Sequence, residues 1–195
     1  MGTLTEKGGI YLKKLLVIPL LLLAGCNMFK DQAQDEKVIV ETNSEVILVG
    51  NALMHNSKGE VIGEILLKQT DKGVQFTTLL NNLPPGSHGI HVHEVGICEA
   101  PDFESAGGHF NPDHKQHGIE NENGPHAGDL PNLEVDEDGS AQLTFSSKAV
   151  TLKLNEPNSL FNENGTSIVI HEKADDYKTD PAGNSGARIA CGVIK

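Results

Sequence analysis

Residues 88–129 constrain this chain more than any other stretch, because they carry seven of its nine histidines and one of its three cysteines. Within them, His91 and His93 alternate with Ile90 and Val92. In a strand, that period of two puts both imidazoles on one face and both aliphatic side chains on the other. His109, His117, His126 and Asp129 follow in a run rich in Gly, Pro and Asn, which cannot hold a long helix or strand but can fold a loop around an ion. The pattern reads as a metal site set half on a strand and half on a loop. His171, near the end of a later apolar run, brings the candidate ligands to seven, more than one tetrahedral ion can use, so two metals are the economical account. Imidazole suits zinc, copper and iron, and a carboxylate among imidazoles favours an ion such as zinc. No cysteine stands among these ligands, which argues against a blue-copper centre.

The flanking sequence is a series of short apolar runs. Residues 46–54, 61–68 and 74–80 are strand-length and are separated by Asn56-Ser57-Lys58-Gly59 and Asp71-Lys72-Gly73, whose glycines supply the positive φ of tight hairpins. Pro84-Pro85-Gly86 interrupts before the histidine-bearing strand at about 89–95. Residues 133–135 and 141–145 flank Asp136-Glu137-Asp138-Gly139, another hairpin signal, and 166–171 and 188–194 are the last two runs. About eight short strands, no amphipathic helix, 21 glycines and no tryptophan give an all-β class, a sandwich or a Greek-key barrel.

The N-terminus is not part of that domain. Lys13 and Lys14 precede the apolar run 15–23, which ends in Ala24-Gly25-Cys26, the arrangement of a signal peptide. The run is shorter than the roughly 20 apolar residues a spanning helix needs. Leu23-Ala24-Gly25-Cys26 resembles a bacterial lipobox, so Cys26 is the expected lipidation site; a plain secretory signal is the alternative. The expected organisation is 1–25 signal peptide, 26–44 lipidated cysteine and polar tether, and 45–195 a single domain, held at the outer face of a bacterial cell membrane. Removing residues 1–25 takes the net charge from -12 to -14, which argues against nucleic acid as a partner. Cys98 and Cys191 then remain as an even pair in an exported protein, and a disulfide between them is expected. It would close a loop of roughly 90 residues, for which chain entropy gives about 4–5 kcal/mol at best.

GIHVHEVGIC, SAGGHFNP, HAGDLPNL, VIHEKADD and GNSGARIACGVI together resemble the copper-zinc superoxide dismutase family across about residues 46–195. The resemblance implies an eight-stranded Greek-key β-barrel, an immunoglobulin-like sandwich with a long metal-binding loop. It implies one copper ion per subunit on His91, His93, His109 and His171, and one zinc ion on His109, His117, His126 and Asp129, with His109 shared. It also pairs Cys98 with Cys191, sets Arg188 over the copper channel, and makes Asp175 the acceptor linking a copper histidine to a zinc histidine. The implied substrate is superoxide, converted to dioxygen and hydrogen peroxide by copper redox cycling, with His109 coupling electron and proton transfer. Oligomeric state is not legible.

Two features depart from better-known relatives. The segment 175–183 is short and contains one lysine, Lys178, which leaves Arg188 as the main local attractor for an anion. Gly108 stands before His109 where many relatives have proline, from which a slightly looser loop is expected. His88 is expected to hydrogen-bond just outside the ligands, His55 and His114 have no assigned role, and Glu94 and Glu172 belong to a solvated face. The rival reading is a lipid-anchored copper- or zinc-binding protein of the same fold that does not turn over superoxide.

Overall fold

Apolar alternation and glycine turns dictate the first half of the fold. In the computed structural model, which describes residues 40–42 and 45–195, strand β3 (Val49–Asn56) turns through Gly59 into β4 (Val61–Thr70), and β4 turns through Gly73 into β5 (Gly73–Leu80). Both glycines adopt positive φ, 78° and 99°, as the hairpin chemistry requires. Val74, Phe76, Thr78 and Leu80 alternate inward along β5, and Ile65 and Leu67 do so on β4, with Ile62 also buried beyond the register shift opposite Met54 and His55. Each such fully buried aliphatic or aromatic side chain contributes about 1.5–3 kcal/mol of transfer free energy.

The remaining strands are β6 (Gly86–His88), β7 (Ile90–His93), β8 (Leu133–Val135), β9 (Thr144–Ser147), β10 (Ser167–His171) and β11 (Arg188–Val193). Seven strands pair antiparallel in the order β7-β10-β11-β3-β4-β5-β9, and β6 pairs with β8. Gly89 alone separates β6 from β7, so the two count as one interrupted strand, and the chain from β3 to β11 makes eight strands. The fold is the expected all-β Greek key. Leu133 and Val135 of β8 join the same core as Ile90 and Val92 of β7, Ile168 and Ile170 of β10, and Phe76, which stacks on Phe145 at 5.1 Å between ring centroids.

Two expectations are corrected. Residues 133–135 and 141–145 do not form a hairpin: Gly139 N–H bonds Asp136 O and closes the turn, but β8 pairs with β6 while β9 pairs with β5. The turn crosses between sheets, because Leu133 and Val135 bury on the side closed by β6. The run 46–54 is also two strands, since β1 (Val40–Thr42) pairs with β2 (Glu45–Ile47) in a hairpin of its own before β3. β1 therefore lies within what the sequence reads as tether. The expected signal peptide, Cys26 and residues 26–39 lie outside the described residues.

Candidate metal centre

Strands β7, β10 and β11 build a surface with two characters. Ile90, Val92, Ile168, Ile170 and Ala190 point into the main core. Register then forces their neighbours onto the opposite face: His91 lies across from Val169, Val169 from Cys191, and His171 from Arg188. Residues 94–129 close over this face and are stitched to β7 by the backbone, with Val92 N–H bonding Gly128 O, Phe110 N–H bonding Val92 O, and Glu94 N–H bonding Gly108 O. Phe103 and Ala106 bury beneath that cover beside Val169 and Cys191. The expected disulfide is present, Cys98 bonded to Cys191 across 93 residues of sequence.

Each histidine of the first group, His91, His93, His109 and His171, has one ring nitrogen fixed and the other without a partner. His91 Nε2 donates to Asp175 Oδ2 at 2.9 Å, and His93 Nδ1 donates to Gly107 O at 2.9 Å. His171 Nδ1 lies 3.3 Å from Gly186 O, and His109 Nδ1 lies 2.9 Å from Asp129 Oδ1. That leaves His91 Nδ1 and the Nε2 atoms of His93, His109 and His171, all buried and without a hydrogen-bond partner in the protein. Each of these four residues offers a ligand atom within 4.8 Å of the others. An unpaired buried polar atom costs about 1–3 kcal/mol, and four converging on one point is the arrangement that a metal ion satisfies.

The second group gathers around one carboxylate oxygen. Asp129 Oδ1 lies 2.9, 3.1 and 3.2 Å from the Nδ1 atoms of His109, His117 and His126. His126 Nδ1 faces His109 Nδ1 at 3.4 Å. A tetrahedral ion with ligands at about 2.0–2.1 Å spaces them roughly 3.3 Å apart, so these separations are close to the edges of such a tetrahedron. The amides of Gly118 and His126 hold Asp129 Oδ2, each at 2.9 Å. His109 thus belongs to both groups, by Nε2 to the first and by Nδ1 to the second.

Asp175 joins the groups a second time, accepting from His91 through Oδ2 and from His117 Nε2 through Oδ1 at 3.0 Å. Asn132 fixes its backbone by two hydrogen bonds, and Tyr177 N–H bonds Oδ1 at 2.7 Å. Gly183, at φ +62°, packs so closely that a Cβ there would overlap Asp175 Oδ1.

Burial dominates the electrostatics of the first group. It lowers His91, takes His93 well below the ordinary histidine value, and brings His109 to about 4 and His171 to about 3, so their lone pairs are free at neutral pH. In His117, burial also works downward, but the carboxylates of Asp129 and Asp175 outweigh it and raise the group to about 9. Burial pushes Asp129 and Asp175 up; their histidine hydrogen bonds reverse this and hold both below the usual carboxylate range.

Arg188 donates from Nη1 to Phe103 O at 2.7 Å and from Nη2 to Gly107 O at 2.8 Å, the same carbonyl that His93 uses. Lys178, the weaker cationic candidate, is exposed and paired with Glu120 at 2.8 Å. His88 is buried, with Nδ1 2.7 Å from His171 O and Nε2 2.8 Å from Pro84 O, outside the ligands as expected. Glu94 is exposed, yet its Oε1 accepts the Gly108 N–H at 3.2 Å; a proline at 108 would have no such donor. Sequence reasoning missed Asn132, Tyr177, Gly183 and Asp180, whose Oδ1 accepts the His117 amide at 2.6 Å. For Tyr177, Asp180 and Gly183 the one signal was the glycine and turn-residue density of 175–186, and Asn132 offered none.

The model of the family described as copper/zinc superoxide dismutase matches residues 61–194. The chain is 53% identical over 141 residues to superoxide dismutase [Cu-Zn] 1 of Aquifex aeolicus, covering 72% of this chain and 83% of that one. It is 42% identical over 186 residues to the superoxide dismutase-like protein YojM of Bacillus subtilis, covering 92% and 93%. The solved Cu/Zn superoxide dismutase of Brucella abortus superposes with a TM-score of 0.63, with 31% identity over 75% of this chain and 99% of that one.

Proposed function

The chain belongs to the copper/zinc superoxide dismutase family, and from that premise we propose which of its residues carry the activity. His91, His93, His109 and His171 hold copper, and His109, His117, His126 and Asp129 hold zinc. The four buried, unpartnered ring nitrogens of the first set carry this reading. Copper held there would supply one-electron chemistry, by which one superoxide loses an electron to become dioxygen and a second gains it and two protons to become hydrogen peroxide, and redox-inert zinc would polarise the shared imidazole.

The protein's own groups prepare that chemistry. His109 is neutral at pH 7, since burial brings it to about 4, so one of its nitrogens offers a lone pair; facing both ions would further require loss of the remaining N–H proton, leaving an imidazolate. Its Nε2, buried and without a partner in the protein, is the atom that would hold a proton and pass it to the reduced substrate. Asp175 orients His91 and His117 together, so that neither ring turns without the other. Arg188, held by two carbonyls beside His93, offers the fixed positive charge that attracts a monoanion.

The test is superoxide loss measured on protein loaded with copper and zinc, with zinc-only protein as control. Loss with the first alone supports the assignment; equal loss in both, or none in either at full copper occupancy, contradicts it and favours metal binding without turnover.

Cys26 anchors the mature protein outside the bacterial cytoplasmic membrane, with the polar residues 27–39 as the lead into the folded domain. The lipobox-like sequence supports this, as does the Cys98–Cys191 disulfide, which persists in oxidising compartments. Among the described residues no helix is long and apolar enough to cross a membrane. Cys26→Ser should abolish lipid labelling and release the protein from membranes; unchanged fractionation would refute the anchor.

A further inference from the structure

We propose that Glu104 sets how strongly this chain draws anions to its copper group, by capping the charge of Arg188 from the rim of the disulfide loop. The proposal rests on the reading of Arg188 as the anion guide. Arg188 is the only arginine in the chain, and its side chain is 16% exposed. Its orientation belongs to the carbonyls of Phe103 and Gly107, at 2.7 and 2.8 Å. Glu104 Oε2 lies 3.9 Å from Arg188 Nη2, beyond hydrogen-bond distance, on a side chain that is 76% exposed. The carboxylate therefore adds little to holding the guanidinium. What it changes is the field: an approaching monoanion meets a partly neutralised pair instead of a bare cation.

The position of Glu104 is itself fixed by the fold. It opens the 3₁₀ turn Glu104–Ala106, and its amide bonds Asp102 Oδ1 at 3.2 Å. Phe103 and Ala106 on either side are buried against Cys191 and Val169. Two anchored neighbours keep the carboxylate at the rim, beside the one guanidinium whose charge also acts on His93 and His171. The other candidate cation named by the sequence, Lys178, is likewise paired with a carboxylate, that of Glu120. Local attraction is thus damped at both places.

The experiment uses full-length protein loaded with copper and zinc, with azide as the probe. Azide affinity is read from the optical titration of copper, and superoxide loss is followed in parallel, for Glu104→Gln, Glu104→Asp and Arg188→Gln. Glu104→Gln should tighten azide and raise the second-order rate constant about two- to five-fold at low ionic strength, a modest share of the range open to electrostatic steering. The gain should vanish near 1 M salt, where the screening length of about 3 Å is shorter than the reach of the pair. Glu104→Asp should resemble the parent, and Arg188→Gln should weaken azide and slow turnover. If Arg188→Gln weakens azide while Glu104→Gln changes nothing, the proposal is overturned and the guide reading survives. If neither changes azide, the guide reading itself falls. A Glu104→Gln effect that persists at 1 M salt would mean that Glu104 acts through structure, which also overturns the proposal.

Discussion

Two ligand groups meet at His109, and protons treat them oppositely. The first draws on strands β7 and β10, and its outer nitrogens are fixed by backbone carbonyls and Asp175 while its inner nitrogens face one another unpaired. The second is carried by the loop and arranged around the negative charge of Asp129, so its nitrogens already have a partner. Burial without a carboxylate drives histidines neutral, as in His93 and His171; burial beside two carboxylates leaves His117 protonated to about 9. The difference teaches that the strand group is preorganised for a cation, whereas in the loop group His117 holds a proton until a cation displaces it.

The largest expected effect separates the groups outright. His171→Ala should lower copper affinity and dismutation by more than about 100-fold, beyond the 10- to 100-fold typical of losing an outer partner, while zinc still binds. His126→Ala should do the reverse, losing zinc and retaining copper. Metal content after dialysis decides, and loss of both metals from either variant would break the distinction.

Next in size is the pH dependence of binding to metal-free protein. His117 must shed a proton before Nδ1 can take zinc, and its value of about 9 means that zinc affinity should rise about ten-fold per pH unit from 7 to 9 and then level off. Copper binding at the strand group should be nearly flat over that range, because His109 and His171, at about 4 and 3, are already neutral. Isothermal titration in buffers of different ionisation enthalpy counts the protons released. A zinc affinity independent of pH would contradict the proton-filled loop.

Asp175→Asn sharpens the comparison from the other side, since this carboxylate serves both groups. It should cost roughly 10- to 100-fold in affinity at each site, measured by competition with a chelator. Gly183→Ala should act in the same direction through displacement of Asp175. An effect confined to one metal would show that the link carries nothing.

The core of this account was legible in the sequence, and the reason is local. β4 and β5 announce themselves by apolar alternation between glycine turns, and His91 and His93 by a period that also sends Ile90 and Val92 into the core. The seven side chains that the structure gathers into these two groups were picked out because their order and spacing match a known family. What escaped depends on contacts between distant segments. Nothing around Asp136 and Gly139 says that β8 and β9 pair with different partners. Asn132 and Tyr177 look like ordinary loop residues until the chain brings them against Asp175, and Glu104 looks like one more surface acid until Arg188 lies beside it.

A smaller effect concerns the stability of the metal-free fold. His91, His93, His109 and His171 are lowered on folding, so the unfolded chain binds more protons below about pH 6.5 and stability should fall as pH drops from there towards 4. His117 is raised; its contribution is complete below about 6.5 and is lost as pH climbs through about 9. The melting temperature should therefore peak near pH 6.5, with the acid slope belonging to the strand group and the alkaline slope to the loop group. His117→Gln should flatten the alkaline side alone, as calorimetry of chelator-treated protein would register.

The sharing of His109 is most directly tested by electron paramagnetic resonance of copper(II)-loaded protein before and after zinc is added. The parent should show four nitrogen couplings, and its spectrum should shift on zinc addition because one imidazole faces both ions. His109→Ala should show three and should no longer respond to zinc. A parent spectrum indifferent to zinc, or a His109→Ala spectrum identical to the parent's, would contradict the account.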